Sequence, residues 1–277
     1  MNFVEHNALK LEYKHYGNGS KVIFAFHGFG RHAIDFKVFQ PQLENNYTIY
    51  AFNLFHHGKS QYPKDRVDKN TLRKEEWLAI IEKALNQLQI DKITLMGYSL
   101  GGKLCLQLVE LMPQRIEHIL LYAPDGIKKN FWYYFASNTA LGQKGYRFML
   151  KNPQLFFKTV SFLKKTRVIN EKIRKFAINN MDSAKKRELV YTVWLTFKET
   201  NPNIKKVTSN IQEYNIAVDL FFGRYDRVIP LKLGIYFARL IDQRESLHVL
   251  EKGHSLLTAD VAEKTASVLL IPNKKRC

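Results

Sequence analysis

Short apolar runs alternate with helical patterns along the first half of the chain, and this alternation constrains the fold more than any other feature. Residues 21–26 are a continuous apolar run ending at His27-Gly28, the pattern of a strand buried on both faces, and 47–54 are another. Residues 75–88 place Trp77, Leu78, Ile81, Leu85 and Leu88 at helical spacing. A strand over 92–96, a helix over 101–111 stopped before Pro113 and a strand over 116–123 come next. Residues 8–16 read as an earlier strand closed by Gly17-Asn18-Gly19. The pattern breaks over 131–206, where aromatics and lysines stand at helical spacing and no strand is evident. It resumes with strand 216–222, helix 231–240, strand 246–250 and helix 259–270. Such alternation predicts a parallel sheet with helices on both faces. The organisation expected is one α/β core, residues 1–130 and 207–277, interrupted by a helical insertion over 131–206.

Within that frame Gly97-Tyr98-Ser99-Leu100-Gly101 falls between a strand and a helix. Gly-x-Ser-x-Gly there has a mechanical logic: the serine adopts strained dihedrals so that its Oγ projects above the sheet, and its neighbours must be small. The Leu100 N–H, at a helix N-terminus, can then donate to a developing oxyanion. A serine nucleophile needs a general base and an orienting acid, in the chain order Ser, Asp, His for this kind of turn. His254 follows the strand 246–250 and Asp226 follows 216–222, so Ser99, Asp226 and His254 are the candidate catalytic residues. Asp125, in Ala123-Pro124-Asp125-Gly126, is the alternative acid, although it also reads as a turn residue. Asp219 lies inside a strand and would be badly aimed. The second oxyanion donor is expected after residues 21–26, at the Phe29 N–H, with Gly30 as the second choice. His56-His57 lack a carboxylate at metal-ligand spacing, so neither a metal nor a cofactor is expected.

With these residues in place the chain resembles the α/β-hydrolase superfamily over nearly its whole length. The matching pieces are His27-Gly28-Phe29-Gly30, Gly97-Tyr98-Ser99-Leu100-Gly101-Gly102, the acid segment 223–230 and Gly253-His254. Asn53-Leu54-Phe55-His56-His57-Gly58-Lys59-Ser60 is similar to a further family segment, with Asn53 where the family has Asp. The resemblance implies a mostly parallel eight-stranded sheet and reads 131–206 as a helical lid. It implies a serine hydrolase cleaving a carboxylic ester or thioester through an acyl-enzyme. Serine at the turn disfavours the dehalogenase and epoxide-hydrolase branches, which use aspartate there. Lys103, after the paired glycines, also resembles the menaquinone-pathway lyase of this fold, a lesser alternative.

Net charge is +18, and residues 131–206 carry +12 of it. Solvated faces of amphipathic helices explain such an excess, as does an acidic partner such as an acyl carrier protein, or an anionic membrane surface met by Phe131-Trp132-Tyr133-Tyr134-Phe135 and Phe156-Phe157. No nucleic-acid module is recognised. Cys105 and Cys277 make no disulfide framework, Cys105 reads as core, and the first ten residues lack a signal-peptide pattern, so a cytoplasmic location is expected.

Overall fold

Ile93–Tyr98 is buried at every position, as the central strand of a sheet covered on both faces must be. The computed structural model describes residues 2–270 apart from 68, 70, 129–130, 167–170, 172–173, 175–177 and 179–180. The sheet has eight strands: β1 (Asn2–His6), β2 (Leu9–Tyr16), β3 (Lys21–Phe26), β4 (Tyr47–Phe52), β5 (Ile93–Tyr98), β6 (Ile116–Tyr122), β7 (Ala217–Gly223) and β8 (Leu247–Leu250). Their order is β1-β2-β4-β3-β5-β6-β7-β8, parallel from β4 to β8, with β1 and β2 antiparallel at one edge. β1 has no counterpart in the sequence reading. Only Val4 of its residues is fully buried, so its periodicity is faint, and Asn7 at φ +52° turns the chain straight back onto β2.

The helices are α1 (Gln40–Leu43), α2 (Lys74–Gln87), α3 (Leu100–Leu111), α4 (Phe131–Asn138), α5 (Ala140–Lys151), α6 (Pro153–Lys165), α7 (Ala184–Thr196), α8 (Ile204–Glu213), α9 (Leu231–Leu240) and α10 (Ala259–Leu270). Phe36, Phe39, Met96, Tyr122, Phe221, Val261 and Ala262 share one core cluster, closing α10 against one face of the sheet. Trp77 of α2 meets Phe26 edge-on, with ring centroids 5.2 Å apart, on the other face. α3 is buried from Gly101 to Glu110, which explains why its sequence is apolar almost all round.

Two compact units divide the chain. The first comprises Met1–Pro63, Arg73–Lys128 and Thr200–Cys277, the second Lys64–Leu72 and Lys129–Glu199. Residues 200–206, assigned by sequence to the insertion, belong to the first unit. The Asn203 N–H donates to Glu110 Oε2 at 2.7 Å and Asn210 Nδ2 to the Val109 carbonyl at 2.8 Å, fastening α8 to α3. Residues 64–72 join the second unit, where the Leu72 N–H donates to the Thr196 carbonyl at 3.1 Å. Within that unit Thr139 and Ser183 cap α5 and α7 through their hydroxyls. Tyr146 of α5 stacks on Tyr191 and Trp194 of α7 at 5.8 and 5.6 Å. Cys277, Lys172, Lys175 and the side chains of Phe131, Trp132 and Tyr133 lie outside the described residues.

Candidate active site

The turn between β5 and α3 forces Ser99 to φ +51° and ψ −114°, a conformation that costs on the order of 1–3 kcal/mol and persists only if its surroundings hold it. They do so from both sides. The Ser99 N–H donates to the Tyr122 carbonyl at 3.0 Å, and the Ser99 carbonyl accepts from the Lys103 and Asp125 N–H groups at 3.2 and 3.0 Å. A Cβ at Gly101 would stand 1.9 Å from the Phe26 carbonyl oxygen, so the helix can start this close to β3 only with glycine there.

Asp226 and His254 reach the same sheet end from the loops after β7 and β8. Those loops are laced together by the Tyr225 N–H to the Lys252 carbonyl at 2.9 Å and the Arg224 N–H to the Leu250 carbonyl at 2.8 Å. Asp226 Oδ1 accepts from the Val228 and Ile229 N–H groups at 2.8 and 2.9 Å, which fixes the carboxylate and leaves Oδ2 for His254 Nδ1 at 2.7 Å. His254 Nδ1 is therefore the donor, and Nε2, 3.2 Å from Ser99 Oγ, is free to accept the serine proton. Asp226 is 5% exposed. Asp125, whose N–H holds the Ser99 carbonyl, turns its carboxylate to other partners: Oδ1 accepts from the Gly126 N–H at 2.8 Å and its charge acts on Lys103. Tyr98, which the sequence did not single out, donates its hydroxyl to the His254 carbonyl at 2.9 Å and lays its ring 5.2 Å from the imidazole.

The remaining expected parts surround this chain of bonds. Leu100 opens α3, so its N–H has no carbonyl one turn back within the helix. A Cβ on Gly28 would lie 3.1 Å from Ser99 Cβ, which sets the loop carrying Phe29 against the serine. The Gly30 N–H, the second choice as donor, is committed to His57 Nε2 at 3.0 Å. Among the described residues the Phe29 N–H donates to no protein acceptor.

Two neutral histidines hold that loop reciprocally. His27 Nδ1 donates to the Gly28 carbonyl at 2.7 Å while its Nε2 accepts from the Leu54 N–H at 3.0 Å. His57 Nδ1 donates to the Phe55 carbonyl at 3.1 Å while its Nε2 accepts from Gly30. Burial lowers both pKa values, that of His57 to about 4 and that of His27 well below its ordinary value. Asn53 completes the clamp: its Oδ1 accepts from the Ala33 N–H at 2.8 Å and its Nδ2 donates to Glu12 Oε2 at 2.7 Å. An aspartate there could not donate to Glu12, which accounts for the amide at this position. Gly58, at φ +55°, lies so close to Asn53 Nδ2 and Glu12 Oε2 that a Cβ would overlap both.

Three further groups lie outside this arrangement. Lys103 is 1% exposed under the turn; burial lowers its pKa to about 8, against the opposing effect of Asp125. Asp219, within β7, accepts from His118 Nε2 and His248 Nε2 at 2.7 Å each. Cys105 is buried and its thiol pKa is raised by that burial.

A family model described as alpha/beta hydrolase fold matches residues 21–258. An alpha/beta hydrolase enzyme, MGS-M2, from a Medee basin deep-sea metagenome library aligns over 97% of this chain and 96% of its own, with a TM-score of 0.67 and 14% identity. A thermophilic esterase from Thermogutta terrifontis aligns over 95% and 92%, with a TM-score of 0.65 and 16% identity. Among curated sequences, the human 1-acylglycerol-3-phosphate O-acyltransferase ABHD5 is 28% identical over 116 residues, 42% of this chain and 33% of that protein. The chain spans about a third of the length of the first curated relatives it matches, 32% in each case.

Proposed function

The chain belongs to the α/β-hydrolase family, and on that premise we propose that it is a serine hydrolase that cleaves a carboxylic ester or thioester through an acyl-enzyme on Ser99. The observation that carries this reading is the continuous path Ser99 Oγ–His254 Nε2 at 3.2 Å and His254 Nδ1–Asp226 Oδ2 at 2.7 Å, at a serine held at φ +51°. Ser99 Oγ attacks the carbonyl carbon as His254 Nε2 takes the hydroxyl proton. Asp226 keeps Nδ1 protonated and stabilises the imidazolium. The Leu100 and Phe29 N–H groups receive the oxyanion. Collapse of the tetrahedral species expels the alcohol or thiol, which takes the proton from His254. Water then repeats the sequence, with His254 as its base, and releases the acid and free Ser99.

Lys103, 1% exposed, takes no part in this proposed sequence of steps. A fluorophosphonate probe should label Ser99, and short p-nitrophenyl esters should be turned over by the native chain. Ser99→Ala should abolish labelling and reduce kcat by about 10⁴-fold or more. Absence of labelling in the folded native chain would overturn the reading.

A further inference from the structure

α5 and α6 each turn an apolar row to solvent. Leu141 and Phe148 on α5 are 73% and 57% exposed, and Leu155 and Phe162 on α6 are 44% and 63% exposed. Seven residues separate the members of each pair, two turns of helix, so each pair lies on one stripe. Lys144, Lys151, Lys158 and Lys165 each stand three residues after one of these apolar side chains and are exposed beside the stripe. The opposite side of α5 packs inward through Gly142 and Tyr146, and that of α6 through Val160. Lys151 at the end of α5 and Leu155 and Lys158 of α6 line one shallow depression at the α5–α6 junction. No acidic residue occurs between Asp125 and Glu171.

Isolated exposed apolar residues need no explanation, but a repeated row of large ones flanked by a row of lysines does. We propose that these faces of α5 and α6 dock on an anionic lipid surface, with Leu141, Phe148, Leu155 and Phe162 entering the headgroup–acyl boundary and the four lysines meeting lipid phosphates. Lysine suits this position because its methylene stem lies along the apolar layer while the ammonium extends to the headgroups. A second copy of the chain would bring an equally basic face, which like charge opposes. A purely acidic soluble partner would leave the four apolar side chains without a role. Among the described residues no helix is long and apolar enough to cross a membrane, so the contact is one of lying on the surface. The proposal goes beyond the serine-hydrolase reading and does not depend on it.

Co-sedimentation of the full chain with vesicles tests it. Vesicles of phosphatidylglycerol and phosphatidylcholine in equal parts should bind the protein roughly tenfold or more tightly than phosphatidylcholine alone, and added salt should weaken binding. Phe148→Ser with Phe162→Ser should reduce binding to the anionic vesicles roughly tenfold or more, as should Lys144→Glu with Lys158→Glu. Leu141→Ser with Leu155→Ser provides a second apolar test should the first variant fail to fold, folding being judged by the thermal unfolding midpoint. Absence of binding to the anionic vesicles overturns the proposal. So does binding that falls with the lysine changes but survives both apolar pairs, the behaviour of a site for a soluble acidic protein. Fluorophosphonate labelling of Ser99 without vesicles reports separately on the hydrolase reading.

Discussion

Protonating His57 breaks a hydrogen bond before it can form another, because its Nε2 accepts from the Gly30 N–H and its Nδ1 already donates. Burial sets its pKa at about 4, below the ordinary 6.5, so the unfolded chain takes up this proton first as pH falls. The stability contribution is therefore complete above pH 6.5 and is lost progressively as pH falls toward 4. Urea midpoints measured from neutral pH downward should fall across that window, and more shallowly in His57→Gln, whose amide can donate and accept without titrating. His56, also lowered to about 4 by burial, and His27 keep the slope from vanishing. Asp226→Asn should preserve the fold yet lower kcat by about 10⁴-fold, because an amide no longer enforces the Nδ1–H tautomer of His254. Ser99, Asp226 and His254 were legible because each follows a strong strand signal in a fixed order. Tyr98 and His57 were not: their partners are 156 and 27 residues away, and the contacts arise only when loops meet.

At the level of elements, apolar runs and helical spacing marked the central strands and the α2, α3, α9 and α10 helices, since those elements bury what the pattern records. β1 escaped because an edge strand buries little. The limits of the helical insertion shifted because Asn203 and Asn210, polar residues that periodicity ignores, anchor α8 to α3. Asp219 shows the same limit from within the sheet. Its carboxylate, 1% exposed, bridges His118 of β6 and His248 of β8 across β7. Asp219→Ala would leave both imidazole donors without that acceptor and should cost about 3 kcal/mol by urea unfolding. On the proposed hydrolase reading, turnover of p-nitrophenyl esters should be unchanged where the variant is folded, since the bonds to His118 and His248 lie outside the Ser99–His254–Asp226 path.

For the whole molecule, the sequence located the charge excess, but only the structure shows which side chains stand beside it. The aromatics Phe156 and Phe157 are half-buried, whereas Leu141, Phe148, Leu155 and Phe162 are in solvent. Amide hydrogen exchange should rank the regions accordingly, with β5 and β6 slower than α5 and α6 by roughly 100-fold or more. The distance in sequence between Ser99 and His254, 155 residues, also sets a timetable. During synthesis the serine turn leaves the ribosome long before β7 and β8 exist to supply Asp226 and His254. On the proposed reading a nascent chain thus carries the Ser99 turn without its partners until β7 and β8 have docked, and formation of that turn alone does not assemble the site.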